Sequence, residues 1–372
     1  MLSIQRLAGR WPSASPIRAK SSLCENARCP RPRNPRLMRR ALVVTTLALA
    51  LVLVPAAHAA SVGIFYYAWY GTPAFDGSYE QWNMNGHAPP LDIASSFYPA
   101  GGIYSSRNPR VMARQMRDMK KAGADTVIYS WWGRGSEQDL LLPQAIAAAG
   151  RAHLKVAIHL EPYLDRGAIS IEADVVYLWN LGIKDFYVYE PKLIDACAWI
   201  SMRLRVPRGA RFFAATPLVG WTLQAGFDGL YNYDVFAFGP SLFRRVCQQA
   251  HAKDLICIPS VGPGYDSTGV FGGDQVKPRR NGSTYDSMWT AAIKSQPDGI
   301  TITSYNEWLE GTQIEPARIQ HGYKSYDRAW GLRGHPARRA YICRSAQWSA
   351  LFRKISANAS LPVRISRTVP RC

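Results

Sequence analysis

The chain has 372 residues, 47% of them hydrophobic, and carries 45 Lys and Arg against 26 Asp and Glu, a formal charge of +19. Ten of those basic residues and one acidic residue precede Ala60, so the remainder is only modestly basic, and its charge is dispersed. That pattern argues against nucleic-acid binding, which needs a clustered basic footprint, and the apolar content is ample for one large core.

The N-terminal residues carry no fold signal. Residues 1–37 are rich in Arg, Pro and Ser and read as a disordered basic extension, or as sequence lying upstream of a start at Met38. Residues 38–59 follow as a signal peptide: Arg39-Arg40, an apolar run from Ala41 to Val54, then Ala57-His58-Ala59 as a small-residue cleavage site. The sequence reading therefore expects an exported protein (secreted, periplasmic or wall-associated) with no stable membrane insertion after cleavage. Residues 60–372 form the expected single domain. The tight basic doublets are Arg244-Arg245, Arg279-Arg280 and Arg338-Arg339, and they read as solvated surface charge. Cys197, Cys247, Cys257, Cys343 and Cys372 follow the cleavage site; their spacing has no CxxC, so no metal or other cofactor is expected, and it does not fix a disulfide pattern.

From Val62 onward, short β-rich runs alternate with helical stretches. The runs are 62–69, 126–132, 156–161, 185–189, 211–216, 229–233, 255–260 and 299–304. Helical periodicity lies between them at Pro109 to Ala122, Glu137 to Ala152 and Pro240 to Lys253, and again around His335 to Lys354 as a last covering helix. Near-continuous apolar strands alternating with helices imply a parallel sheet covered on its outside. Eight such units in about 250 residues fit a closed (β/α)8 (TIM) barrel with its active site at the C-terminal strand ends. The first strand is followed by no glycine-rich phosphate turn, which speaks against an open doubly wound sheet.

The strand ends share a composition: Tyr66, Tyr67 and Trp69; Trp132; Glu161; Tyr189; Tyr231 and Tyr233; and Asn306, Glu307 and Trp308. Flat aromatic faces with carboxylates are what a sugar site needs. Glu307 and Glu310 stand three residues apart, and a helical turn would place them on one face. Two carboxylates that close in a dry pocket split their proton affinities, one serving as acid and the other as base. From the residues alone, Glu161 is a further nucleophile or base across the pocket. Pro162 favours an extended chain up to it.

Several stretches together resemble glycoside hydrolase family 99, the endo-α-1,2-mannosidases and mannanases. They are Tyr66-Tyr-Ala-Trp-Tyr-Gly71, Ser96-Phe-Tyr-Pro99, Tyr104-Ser-Ser-Arg107, Ser130-Trp-Trp132, His159-Leu-Glu-Pro-Tyr163 and Phe186-Tyr-Val-Tyr189. Gly226-Phe-Asp-Gly229, Pro259-Ser-Val-Gly-Pro-Gly-Tyr265 and Ser304-Tyr-Asn-Glu-Trp-Leu-Glu-Gly-Thr-Gln-Ile-Glu315 complete the series. The resemblance implies a retaining, endo-acting hydrolase of α-mannosides in which no enzyme carboxylate attacks carbon. Glu307 would deprotonate the sugar's 2-hydroxyl, which closes on C1 as a 1,2-anhydro intermediate; Glu310 would protonate the leaving oxygen and then activate water. Glu161 then becomes a substrate-binding carboxylate, and Tyr67, Tyr231, Tyr233 and Tyr265 become walls of the site. Trp132, where animal members tend to carry Tyr, points to α-mannan. The partner expected is thus an α-mannose-containing oligo- or polysaccharide, acted on by a monomeric enzyme. Residues 191–218 and 234–239 depart from the family pattern, which leaves room for an inactive carbohydrate-binding homologue or a transglycosidase of envelope glycans.

Overall fold

The computed structural model describes residues 60–369 apart from Ala237, Gly273, Asp274 and Arg367. The extension, signal peptide and Cys372 expected from sequence lie outside the described residues.

One parallel sheet of nine hydrogen-bonded segments forms the centre. Its strands are β1 (Ser61–Tyr66), β2 (Thr126–Trp131), β3 (Lys155–Leu160), β4 (Asp185–Val188), β5 (Arg211–Ala215), β6 (Gly229–Tyr231), β7 and β8 (Gly299–Ile302). The seventh is split at Pro259, which has no N–H to donate. Its first part, Ile256–Ile258, pairs with β6, and its second, Ser260–Val261, pairs with β8. Since β8 also pairs with β1, the two sheet ends meet and the barrel closes with eight strands. All eight coincide with runs expected from the sequence.

The helices follow the strands in turn: α1 (Pro109–Lys121), α2 (Glu137–Arg151), α3 (Ala168–Asn180), α4 (Ala196–Arg203), α5 (Val219–Gln224), α6 (Pro240–His251), α7 (Ser283–Lys294) and α8 (Ala340–Ala357). Local chemistry sets their starts. Asn108 caps α1 through the amide of Arg110, with Pro109 behind it, and Ser136 caps α2 through the amide of Asp139. The last helix covers the barrel as expected. Its Arg344 pairs with Asp286 of α7 at 2.6 Å, and Trp348 stacks on Trp289 with ring centres 6.1 Å apart. A disulfide between Cys247 and Cys257 ties α6 to β7.

The period-2 alternation of a strand decides which side chains can reach the active site. Along β1, Val62, Ile64 and Tyr66 pack in the layer under the helices, whereas Phe65 and Tyr67 face the barrel interior. Phe186 and Val188 of β4 face outward, and Tyr187 inward. The interior is therefore filled by Phe65, Ile128, Ala157, Tyr187, Phe213 and Tyr231. Adjacent aromatics such as Tyr66 and Tyr67 point to opposite layers.

Candidate active site

The segment after β8 carries the carboxyl pair on a tightly tied turn. Ser304 and Thr312 pair through both backbone (3.0 Å) and hydroxyls (2.9 Å), and Ser304 Oγ accepts from the Glu307 amide at 2.8 Å. Glu307 Oε1 accepts from the Leu309 amide at 3.2 Å, and the Gly311 amide donates to the Trp308 carbonyl at 3.3 Å. The helical turn expected for Glu307 to Glu310 is thus a single turn over 308–311, closed at Gly311 with φ +62°. Its side-chain and backbone bonds run back to Ser304 rather than onward along a helix.

Asn306 fastens this turn to the end of β1. Its Oδ1 accepts from the Tyr67 amide at 2.8 Å while its Nδ2 donates to the Tyr67 carbonyl at 2.7 Å. Tyr70 adds a hydroxyl that donates to the Asn306 carbonyl and accepts from the Trp308 amide, both at 3.0 Å. The Trp308 indole points away from the mouth, donating to Glu315 Oε2 at 3.0 Å and Tyr104 Oη at 3.2 Å. Asn306 and Trp308, expected as substrate contacts, are wholly buried and committed to protein partners. Tyr66 is likewise behind the site, its hydroxyl donating to Gln115 Oε1 at 2.8 Å. Tyr231 is fully buried beneath it, bonded to His159 Nε2 at 2.8 Å.

The remaining candidates converge. Tyr67 is held well above the usual phenol range by burial and then by the charges of Glu161, Glu307 and Glu310, so all three carboxyls act on it. Its hydroxyl is hydrogen-bonded to that of Tyr233. Burial and the charge of Glu310 also raise Tyr189, Tyr233 and Tyr265, and each phenol therefore stays a protonated donor at neutral pH. Trp69, Trp132, Tyr189 and Tyr265 are partly exposed and form the accessible walls. Trp69 packs on Tyr67 at 4.8 Å and lies 6.4 Å from Trp132.

Glu161 at the end of β3 is buried and accepts from Ser130 Oγ at 2.8 Å, and Ser130 Oγ in turn accepts from Trp132 Nε1 at 3.2 Å. His159 Nδ1 lies 2.8 Å from Glu161 Oε1 but off the hydrogen-bond line, a close approach without a hydrogen bond. Ser130 thus fixes the orientation of the Glu161 carboxyl group. Arg166 draws the ends of β3 and β4 together, donating to the carbonyls of Leu160 (3.1 Å), Tyr189 (2.7 Å) and Glu190 (2.9 Å).

Glu307 and Glu310 are both buried. Burial first, and then the charge of Glu310, push the Glu307 carboxyl well above the usual carboxylate range. Burial, then the charges of Asp234 and Glu161, push Glu310 up to about 8, with the Tyr233 hydroxyl opposing. Both carboxyls are thus held toward their protonated forms, Glu307 with the charge of Glu310 adding to its burial. The sequence reading missed Asp234, Ser130, His159 and Arg166 as parts of this site. Ser130 and His159 were legible by strand parity, two residues from Trp132 and Glu161; Asp234 and Arg166 sit on loops and left no periodic signal.

Among the described residues no group of His, Cys, Asp and Glu side chains is placed to hold a metal ion. A carboxyl pair beside aromatic walls at the C-terminal mouth of a (β/α)8 barrel is an arrangement suited to hydrolysing glycosidic bonds.

Comparison with known proteins agrees. Residues 58–194 and 214–354 match the model of Glycosyl hydrolase family 99, and the unmatched gap falls within the divergent stretch noted from sequence. The glycoprotein endo-alpha-1,2-mannosidase of Rattus norvegicus is 33% identical over 314 residues, covering 69% of this chain and 68% of that one. A glycoprotein endo-alpha-1,2-mannosidase-like protein of Danio rerio is 34% identical over 69% of this chain and 71% of its own length. Among solved structures, the GH99 endo-alpha-mannosidase from Bacteroides thetaiotaomicron superimposes with a TM-score of 0.69 and 30% identity, over 79% of this chain and 97% of that chain. The chain belongs to glycosyl hydrolase family 99, and is a glycoside hydrolase.

Proposed function

We propose that this enzyme cleaves internal α-mannosidic linkages with retention of configuration through a 1,2-anhydro sugar. The observation that carries the proposal is the buried pair Glu307 and Glu310 facing Tyr67 and Tyr233, with the charge of Glu310 adding to the burial that raises Glu307. In the first step the sugar's O2 forms a bond to C1 as the C1–O bond to the leaving group breaks. Glu307 takes the 2-hydroxyl proton, and Glu310 gives its proton to the departing oxygen. Water then attacks C1 and delivers a proton to Glu310, while the C1–O2 bond opens and O2 recovers its proton from Glu307. Two inversions give net retention, and both carboxyls return to their starting states.

The scheme needs one proton on the pair, with Glu307 ionised and Glu310 protonated when substrate is bound. Substrate favours that arrangement, because a 2-hydroxyl donating to Glu307 stabilises its carboxylate while a glycosidic oxygen can only accept, and so draws the proton to Glu310. The attack of O2 on C1 requires the 2-hydroxyl and leaving group to be trans, as in α-mannosides. Similarity to endo-α-mannosidases supports the same substrate class. Trp132, partly exposed and steered by Ser130, favours a mannose cap and hence an α-mannan. Export is supported by the signal-like segment 38–59 and by the Cys247–Cys257 disulfide, a bond suited to an oxidising compartment.

The test is Glu307→Gln and Glu310→Gln assayed on α-mannan with product analysis. Loss of acid–base help costs roughly 10²–10⁴-fold in turnover. Turnover near that of the unaltered enzyme in both variants would defeat the assignment, and binding without product in the unaltered enzyme would make it a lectin-like homologue.

A further inference from the structure

The fold divides the Arg279-Arg280 doublet. Arg280 is exposed, but the guanidinium of Arg279 is enclosed by the rings of Phe97, Tyr326 and Tyr341 at 4.6, 4.8 and 4.6 Å. Its Nη2 donates to two carbonyls of the catalytic turn, Gly311 at 3.0 Å and Gln313 at 2.7 Å. Gly311 directly follows Glu310, and there is no slack around it: a Cβ there would stand 2.7 Å from the Asp266 carbonyl. The Glu310 carbonyl accepts from the Asp266 amide at 2.7 Å, and Tyr326 Oη donates to the Gln313 carbonyl at 3.0 Å.

These contacts split the labour along the turn. Asn306 and Ser304 hold the backbone around Glu307, and the Tyr70 hydroxyl holds the Trp308 amide. The stretch from Glu310 to Gln313 is tied back to Ser304 through Thr312, and it is held from outside the turn by Asp266, Tyr326 and Arg279. We propose that Arg279 is the positioning residue for Glu310, bridging the carbonyls on its C-terminal side so that the carboxyl stays aimed at the leaving oxygen. This rests on the reading of Glu310 as the acid. Arginine suits the task because its planar cation can stack on aromatic faces while one nitrogen donates twice in its own plane. A lysine would keep the charge and lose both the stacking and the fork. Arg279 touches no substrate in this scheme and acts only through the turn.

The experiment compares Arg279→Lys with Arg280→Ala in the mature enzyme, reading kcat and KM on an activated α-mannoside and amide hydrogen exchange in residues 307–313. Displacements of an ångström cost up to about 10²-fold in rate. Arg279→Lys is expected to lose 10- to 100-fold in kcat, with KM within about twofold, and to exchange faster in the turn. Arg280→Ala should match the unaltered enzyme. Guanidinium ion should restore part of the activity of Arg279→Ala, and ammonium at the same concentration should not. A folded Arg279→Lys with unchanged kcat and unchanged exchange overturns the proposal. Should that variant fail to fold, Tyr326→Phe, which removes the second donor to Gln313, decides: a fall in kcat supports the clamp and an unchanged kcat refutes it. An unaltered enzyme inactive on every α-mannoside refutes the functional reading instead, and hydrogen exchange still decides the positioning.

Discussion

Replacing Asn306 by alanine separates a residue that binds sugar from one that builds the site. The side chain makes two short bonds to the Tyr67 backbone, 2.8 Å from the amide and 2.7 Å to the carbonyl, and a longer one of 3.3 Å to Tyr104 Oη. All of these groups are buried. Alanine leaves the Tyr67 N–H and C=O unpaired, at roughly 1–3 kcal/mol each. Counting the two backbone groups alone, the expected loss is about 2–6 kcal/mol, a large share of the 5–15 kcal/mol typical of a folded protein. At about 2–4 °C per kcal/mol, a mid-range loss of about 4 kcal/mol lowers Tm by roughly 8–16 °C. Because the same bonds hold the backbone next to Glu307, kcat should fall by up to about 10²-fold while KM changes little. Urea unfolding monitored by tryptophan fluorescence, with kcat and KM on an α-mannoside, measures both. A stability loss under about 1 kcal/mol with a tenfold rise in KM would refute the reasoning and return Asn306 to the substrate contacts.

Three further outcomes follow from the same geometry. With Glu310 as the proposed acid and its pKa pushed up to about 8, kcat/KM should fall as pH rises through that region. Asp234→Asn, which removes a charge that raises Glu310, should move this limb to lower pH; no movement would refute the coupling. The folded pKa of Glu310 exceeds its unfolded value, so the native state favours the protonated form and loses stability as pH rises from about 4.5 toward 8. Glu310→Gln removes that dependence, and its Tm advantage over the unaltered enzyme should grow from pH 5 to pH 8; an advantage independent of pH would contradict the buried acid. Finally, Tyr66→Phe should leave KM and kcat unchanged and cost about 1–3 kcal/mol through the orphaned Gln115 acceptor, whereas Tyr67→Phe should lower kcat. Equal kinetic effects from the two would contradict their assignment to opposite layers.

Much of the site was legible because its signals are local. Glu307 and Glu310 lie in one short segment after a recognisable strand, and Glu161 ends another. The aromatics were legible as a set but not individually. Strand parity separates Tyr66 from Tyr67, and it needs the register of β1 against β2 and β8 to say which of the two faces in. Asn306 looked like a sugar ligand because its chemistry suits either task; its partner is 239 residues away in the chain.

The amino-acid sequence by itself determined the barrel, its eight strands, the family and the acidic pair, since periodicity and contiguous motifs are properties of neighbouring residues. Tertiary structure alone decided which polar groups remain for a ligand, because a buried donor or acceptor is spoken for by whatever lies across the fold. Asn306 and Trp308 are used up holding the turn, Arg279 is drawn from apparent surface charge into an aromatic cage, and Asp234 joins the acid from a loop. Those assignments come from distance in space, and the linear order of residues does not contain it.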